Sequence, residues 1–449
     1  MQSINKYPKY KPSGIPWLGD VPDHWECSKL RSILFSVSKK NCPNLPLLSV
    51  VREKGVIVRN ISDDSENHNV IPEDLTNYKV VNPGQFAMNK MKAWQGSYGI
   101  SKFEGIVSPA YFVFNLRKVE PSFFHVAMRS KVLIPFFAAA SDGIRVGQWD
   151  LSMSRMREIP FFVPLKTEQT QIARFLNWKT SQINKFIKAK KRILELLKEQ
   201  IDLYLYGKIE TSDMSTFLNW DNSFPEVWQL TKAKRLFSEI NIKNQSDKEL
   251  LAVTQDRGVV LKKECLQNYV SPSGSLDGLK LVRENDFVIS LRSFQGGIEY
   301  SNYEGIVSPA YNIIYLNRQY NSSEYQKYFK YLFKTKPFIS QLNTIISGIR
   351  DGKNINYSDF AEILLPLPPI DYLKSFMHLL DNFESYKQRF QIEKMLLDEF
   401  KNRLISDVVT GKVDVRDIEV PEVIEYIEED ILEKENEELE EMEGEIDNV

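Results

Sequence analysis

The sequence predicts an α+β protein: two similar, strand-rich domains of mixed secondary structure, joined by two long helices that pair as an antiparallel coiled coil, the whole forming a pseudo-two-fold tandem repeat. Three observations predict it. The octamer Glu-Gly-Ile-Val-Ser-Pro-Ala-Tyr occurs twice, at 104–111 and 304–311. Two long stretches lack proline and glycine and carry apolar residues at near-heptad steps. The segments that precede them are short β-branched and aromatic runs broken by turn signals.

The repeat extends well beyond the octamer. Pro22 and Trp25 match Pro225 and Trp228, Leu47, Leu48 and Val50 match Leu250, Leu251 and Val253, and Gly55-Val56 matches Gly258-Val259, every pair 203 residues apart. The offset becomes 200 at Gln95-Gly96 and Gln295-Gly296, 205 at Gly143-Ile144-Arg145 and Gly348-Ile349-Arg350, and 204 at Gly207-Lys208 and Gly411-Lys412. Small insertions in a retained frame mark a duplicated domain, and a period this long means two whole domains, not a solenoid.

Taken in order, residues 1–165 form the first domain, with turn signals at Asn82-Pro83-Gly84, Ser108-Pro109 and Asp142-Gly143. Residues 166–210 hold the first long helix, whose seam is Leu176, Ile183, Ile187, Leu194, Leu197, Ile201 and Tyr204. Residues 211–367 repeat the domain and 368–410 repeat the helix, now with Phe383, Phe390, Leu397 and Leu404 at strict steps of seven and Leu380 and Phe400 beside them. Two such seams in one chain most simply pair with each other. A helix of about 38 residues is roughly 57 Å long. An antiparallel pair of that length would hold the domains about one to one and a half duplex turns apart, at roughly 34 Å per turn.

Composition narrows the function. With 449 residues, 42% of them hydrophobic and 26% charged, the chain is long enough for two cores. It has no apolar run of membrane-spanning length and no apolar signal core in Met1-Gln2-Ser3-Ile4-Asn5-Lys6, so a cytoplasmic protein is expected. Cys27, Cys42 and Cys265 are odd in number and widely spaced, which suggests neither a disulfide framework nor a zinc site. The net charge of −2 conceals an acidic tail within residues 411–449: from Asp417 onward the net is −15, which leaves +13 on residues 1–416. A basic body rich in aromatics suits a nucleic acid, although basic surface also serves solubility. The tail reads as a solvated extension, partly helical around Ile424, Ile427 and Ile431, with competition for the basic surface as the alternative.

The segment Ser13-Gly14-Ile15-Pro16-Trp17-Leu18-Gly19-Asp20-Val21-Pro22-Asp23-His24-Trp25-Glu26 resembles the start of specificity subunits of type I restriction-modification systems. So do Asn89-Lys90-Met91-Lys92-Ala93-Trp94-Gln95-Gly96-Ser97, the stretch Pro164–Leu176 with Glu168, Gln169 and Ile172, and Gly411-Lys412-Val413-Asp414-Val415-Arg416. The resemblance implies two target-recognition domains, each reading half of a split double-stranded DNA sequence. It also implies paired helices that act as a ruler and dock methyltransferase subunits, two of them, with Glu168, Gln169, Lys208 and Lys412 as docking residues. S-adenosylmethionine is then expected on the methyltransferase partner, ATP and magnesium on a motor-nuclease restriction subunit, and no cofactor on this chain. Two departures stand out: Tyr372 and Leu373 replace the Glu-Gln pair before the second helix, and Gly207-Lys208 lacks the Asp-Val-Arg continuation.

Base edges are read by bidentate cations, amides and hydroxyls on exposed loops. Lys90, Lys92, Trp94, Gln95 and Ser97 in the first domain, and Arg292, Ser293, Phe294 and Gln295 in the second, are candidates, against a reading in which Trp94 and Phe294 are core aromatics and Gln-Gly is a turn. Arg145, Arg350, Lys353 and Asn354 in glycine-containing stretches suit phosphate contacts, or ion pairs within their own domains. The identical octamer is expected to be scaffold or backbone contact, since domains that read different half-sites should differ where they read bases.

No catalytic motif is apparent. The only Pro-Pro, Pro368-Pro369, is flanked by Leu367 and Ile370 rather than by the Asn/Asp and aromatic of amino-group methyltransferases. No phosphate-binding Gly-x-x-x-x-Gly-Lys-Ser/Thr loop or metal signature occurs, and His24 near Cys27 reads as packing. A non-catalytic DNA-recognition subunit is the expectation. The alternative is a coiled-coil scaffold that binds protein or RNA without DNA sequence preference.

Overall fold

The computed structural model describes residues 5–15, 18–52, 54–59, 72, 74–143, 149–205, 227–255, 257–264, 275–345 and 355–421. Helix and strand are mixed throughout, and two compact units result, Met1–Ala189 with Gln391–Val423, and Lys190–Phe390 with Ile424–Val449. The long helices Lys166–Leu205 and Ile370–Val409 contribute a part to each unit.

In the first unit, a four-stranded antiparallel sheet runs in the order Leu34–Val37, Tyr111–Leu116, Phe86–Asn89, Tyr98–Ile100. Aromatic residues of these strands face the helix Pro121–Arg129, where Phe86, Phe114, Phe123 and Phe124 are fully buried. Glu26–Lys29 pairs antiparallel with Pro160–Val163, the last strand before the long helix. The second unit has the same strand order: Phe237–Ile240, Asn312–Leu316, Phe287–Ile289, Glu299–Tyr300. Gln229–Lys232 pairs with Leu364–Leu367, and a buried cluster of Phe237, Phe287, Phe329, Phe333, Phe338 and Phe360 fills its core.

The octamer is scaffold in both units. Gly105–Val107 and Gly305–Val307 are buried strands, paired with Lys79–Val81 and Lys280–Val282. A Cβ on Gly105 would lie 2.5 Å from the Pro46 carbonyl oxygen and 2.6 Å from Leu48 Cγ, and one on Gly305 would lie 2.6 Å from Leu251 Cγ. No side chain fits there. Ser108 and Ser308 accept from the amides of Ala110 and Ala310, which turns the chain into the central strand. The carbonyl of Tyr111 accepts from Lys79 Nζ and that of Tyr311 from Lys280 Nζ, each at 2.6 Å.

The seam is most buried where each unit holds a helix end. In the first unit Ile172, Phe175 and Leu176 share a core with Val408 and with the partly buried Leu404, Ile405 and Val409, so the start of one helix lies by the end of the other. In the second, the hydroxyl of Tyr372 donates to the Tyr204 carbonyl at 2.9 Å and that of Tyr386 to the Lys190 carbonyl at 3.3 Å, the same antiparallel sense. Phe400, placed beside the seam from the sequence, is instead 55% exposed.

The turn before Phe86 and that before Phe287 are alike in form. Gly84 and Asn285 take φ of 81° and 72°. The side chains of Gln85 and Asp286 each accept from the backbone N–H three residues back, at 2.8 Å. Burial pushes the Asp286 carboxyl up to about 6. A carboxyl whose folded pKa is raised stabilises the fold below its unfolded pKa and loses that contribution as pH rises through about 6. Asp286→Asn, which keeps an acceptor oxygen as Gln85 does, is therefore expected to stabilise the protein at pH 8 by up to about 2 kcal/mol, with no gain at pH 4. Thermal unfolding across that pH range measures it; a gain that persists at pH 4 contradicts the assignment.

Candidate nucleic-acid interface

A loop stands at the tip of each sheet, and a buried polar cluster lies in the first unit. The loop follows Phe86–Asn89 in the first unit and Phe287–Ile289 in the second. Asn89 Oδ1 accepts from the Met91 amide at 3.1 Å, and Ser290 Oγ accepts from the Arg292 amide at 3.2 Å. A single helical turn follows, Ala93–Gln95 or Ser293–Gly296, preceded by Lys92 at φ −122°, ψ 12° or Arg292 at φ −112°, ψ 9°. The two loops thus enter their turns through a similar backbone step and leave them differently, at Gly96 with φ 95°, ψ 16° and at Gly297 with φ 81°, ψ −168°.

Lys92, Arg292 and Gln295 are exposed, and Trp94, Gln95 and Phe294 are half-buried. The aromatics belong to neither the core nor the open surface. Trp94 Nε1 donates to the Met91 carbonyl at 3.2 Å, and its ring packs against Trp149 at 5.0 Å. Lys90 Nζ lies 2.7 Å from Asp150 Oδ2, so its charge is engaged within the domain. Ser97 and Ser293 do not join the surface: each is 1% exposed. Ser293 Oγ instead accepts from the Ser290 amide at 2.9 Å, because the tight turn directs its small side chain inward.

Arg145, Arg350, Lys353 and Asn354 lie outside the described residues, but the chain on either side of them is placed. The Leu151 amide donates to the Lys90 carbonyl, and the Trp149 ring meets that of Trp94, so residues 149–151 lie beside the first loop. Asn343 Nδ2 donates to the Phe294 carbonyl at 2.9 Å, which places Asn343 beside the second loop. Sequence reading missed Trp149 and Asp150; the signal available was that Gln-Trp-Asp follows the Gly-Ile-Arg stretch within a few residues.

The polar cluster corrects two docking assignments. Glu168 is 4% exposed and Gln169 1%, and both spend their polar atoms inside the chain. Glu168 Oε1 accepts from Tyr7 Oη at 2.6 Å and from Trp25 Nε1 at 2.9 Å, while Oε2 lies 2.7 Å from His24 Nε2. Gln169 donates to the Pro164 carbonyl and accepts from the Glu120 amide. Neither presents a surface to a partner. Burial and the Glu168 carboxylate push the Tyr7 hydroxyl well above the usual phenol range.

The Gly-Lys-Val-Asp-Val-Arg segment completes this cluster. A Cβ on Gly411 would overlap the Pro22 ring, and Trp25 lies just beyond. Asp414 pairs with Arg416 at 2.7 Å; burial opposes its charge, but the guanidinium holds the carboxyl below its ordinary range. Arg416 also covers the Tyr7 ring at 4.9 Å. Lys412 is exposed, and Lys208 lies outside the described residues. In the second unit Tyr372 occupies the place of Glu168, with its ring 5.1 Å from Trp228, and the polar cluster gives way to an aromatic one.

His24 is committed to Glu168, and Cys27 is exposed on a paired strand, so neither is packed into the core as the sequence suggested. Among the described residues no group of three or more His, Cys, Asp or Glu could hold a metal ion, and no helix is long and apolar enough to cross a membrane.

No family model matches the chain. It is 21% identical over 436 residues to the "Putative type I restriction enzyme MjaX specificity subunit" of Methanocaldococcus jannaschii, across 89% of this chain and 96% of that one. A solved chain from a study of complex assembly and conformational transition of the type I R-M system matches its fold with a TM-score of 0.58 at 12% identity, covering 88% of this chain and 99% of that chain. The HsdS subunit from Thermoanaerobacter tengcongensis aligns with 88% of this chain and 98% of its own, with a TM-score of 0.46 and 13% identity.

Replacing Glu168 by Ala would leave the buried hydroxyl of Tyr7 and the indole N–H of Trp25 without an acceptor. The expected loss is about 3 kcal/mol. Denaturant unfolding should register it, with Glu168→Gln, which restores one acceptor oxygen, losing less; equal stability in all three proteins would refute the role.

Proposed function

We propose that this chain is the DNA-sequence specificity subunit of a type I restriction-modification complex, and that it is not itself catalytic. The observation that carries this reading is a likeness to a specificity subunit spanning nearly the whole of both chains, joined to a cation-bearing loop after the equivalent strand of each unit. Each unit acts as a target-recognition domain for one half of a split duplex target. Lys90, Lys92, Trp94 and Gln95 serve the first half-site, and Arg292, Phe294 and Gln295 the second, through base edges in the major groove. Arg145, Arg350, Lys353 and Asn354 neutralise phosphates beside them.

The long helices pair as an antiparallel coiled coil that relates two tandem repeats, sets half-site spacing and docks two methyltransferase subunits. Contacts of the same antiparallel sense within each unit support the pairing. An exposed apolar stripe supports the docking: Ile392, Met395, Leu396 and Phe400 are 54–62% exposed on the second helix, at the spacing of one helical face. Such a stripe fits a partner helix laid along it. Lys412, exposed at the helix end, flanks the docking region, and Lys208 is assigned the same role. The methyltransferase brings S-adenosylmethionine, and a motor-nuclease subunit brings ATP and magnesium, in a cytoplasmic complex that defends against foreign DNA.

The test is methylome sequencing of a host without its own modification, expressing this chain with its methyltransferase partner. Adenine methylation confined to a split motif, and present only with this chain, is expected. No new methylation from a soluble, associated pair would favour a coiled-coil scaffold that binds protein or RNA. Deleting one turn from both long helices is expected to change the spacing between half-sites and leave their sequences intact. An unaltered spacing would remove the ruler.

A further inference from the structure

The residue at the apex of each loop is apolar and held out. Met91 is 49% exposed and Leu291 45%, and the two stand at equivalent positions, two residues after Asn89 and Ile289, the last residues of their strands. Scattered exposed hydrophobics are ordinary. Here, however, the position is apolar in both copies while its neighbours change, Lys90 to Ser290 and Trp94 to Phe294. The next residue is an exposed cation each time, Lys92 or Arg292.

The apex cannot readily withdraw its side chain. The amide of Met91 is bonded to the buried Asn89, whose Nδ2 reaches the Tyr111 hydroxyl of the scaffold octamer at 3.2 Å, and the Met91 carbonyl accepts from Trp94. Beside Leu291, Ser290 is bonded to both Ser293 and Arg292. The tip is braced on both sides of the exposed side chain. A cation that can settle on a phosphate, next to a rigidly presented Met or Leu, is the combination by which proteins insert an apolar wedge between base pairs and unstack a step.

We propose that Met91 and Leu291 are wedge residues, each inserted at a base step of the half-site its unit reads, next to the cation Lys92 or Arg292. The inference rests on the DNA-reading function proposed above. It adds that the half-sites are distorted on binding, so that part of the sequence preference comes from how easily the step opens.

The probe is a duplex carrying the split motif from the methylome experiment, with 2-aminopurine placed in turn at each non-methylated position of both half-sites. The full chain is used in complex with its methyltransferase subunit and without S-adenosylmethionine. The wild-type complex is expected to raise fluorescence severalfold at one step in each half-site. Met91→Ala should abolish the rise in the first half-site alone and Leu291→Ala in the second alone, each with about tenfold weaker binding. Met91→Leu, which installs the second unit's residue, should retain the signal. Specific binding with no fluorescence rise outside the methylated adenines, or a rise that both alanine variants keep, would overturn the wedge and leave the DNA-reading function standing. Absence of sequence-specific binding by the wild-type complex would overturn both.

Discussion

The first unit depends on one buried carboxylate. Glu168 sits in the first turn of the helix Lys166–Leu205 and gathers Tyr7, His24 and Trp25, which come from the start of the chain. The segment after the other long helix closes over the same place, with Gly411 against Pro22 and Arg416 over Tyr7. A buried carboxylate is costly unless its oxygens are satisfied, and here each oxygen has a partner. That requirement ties three distant parts of the chain into one arrangement and sets where both helix ends lie within the unit.

The second unit solves the same closure differently. Tyr372 packs on Trp228 and donates to the carbonyl of Tyr204, so an aromatic contact replaces the charge-centred one. The two units share a strand order but not a closure, because either chemistry can bury a helix start. The conserved half of the pair is Trp25 and Trp228; the variable half is the group that meets it. The parts held constant between copies are those with no steric freedom. Gly105 and Gly305 admit no side chain, and Lys79 and Lys280 bond the same carbonyl. Variable side chains lie on the loops that leave equivalent strands, an arrangement suited to changing what is presented without rebuilding the strands.

Several readings of single residues failed where the sequence could not show direction. Ser97 and Ser293 belong to loop motifs that look exposed, yet both point inward. Glu168 and Gln169 looked like surface groups at a helix start, because a glutamate is rarely buried, and only the convergence of Tyr7, His24 and Trp25 gives it a reason to be. Trp94 turned out neither core nor free, since Trp149, more than fifty residues later, supplies the ring beside it.

What the sequence determined by itself was the internal repeat, the two long helices and the loops that carry cations, because these are written in local spacing: an octamer repeated unchanged, heptad steps, and Gln-Gly turns after apolar runs. Tertiary structure alone decided which polar side chains are spent inside, and which apolar ones are left outside. Heptad position does not distinguish the exposed Phe400 from the buried Phe390, and no local signal marks Met91 and Leu291 as held out at an apex. Burial is set by what arrives from elsewhere in the chain, and the hydrogen bonds that hold a group in or out join residues whose separation in sequence has no period to read.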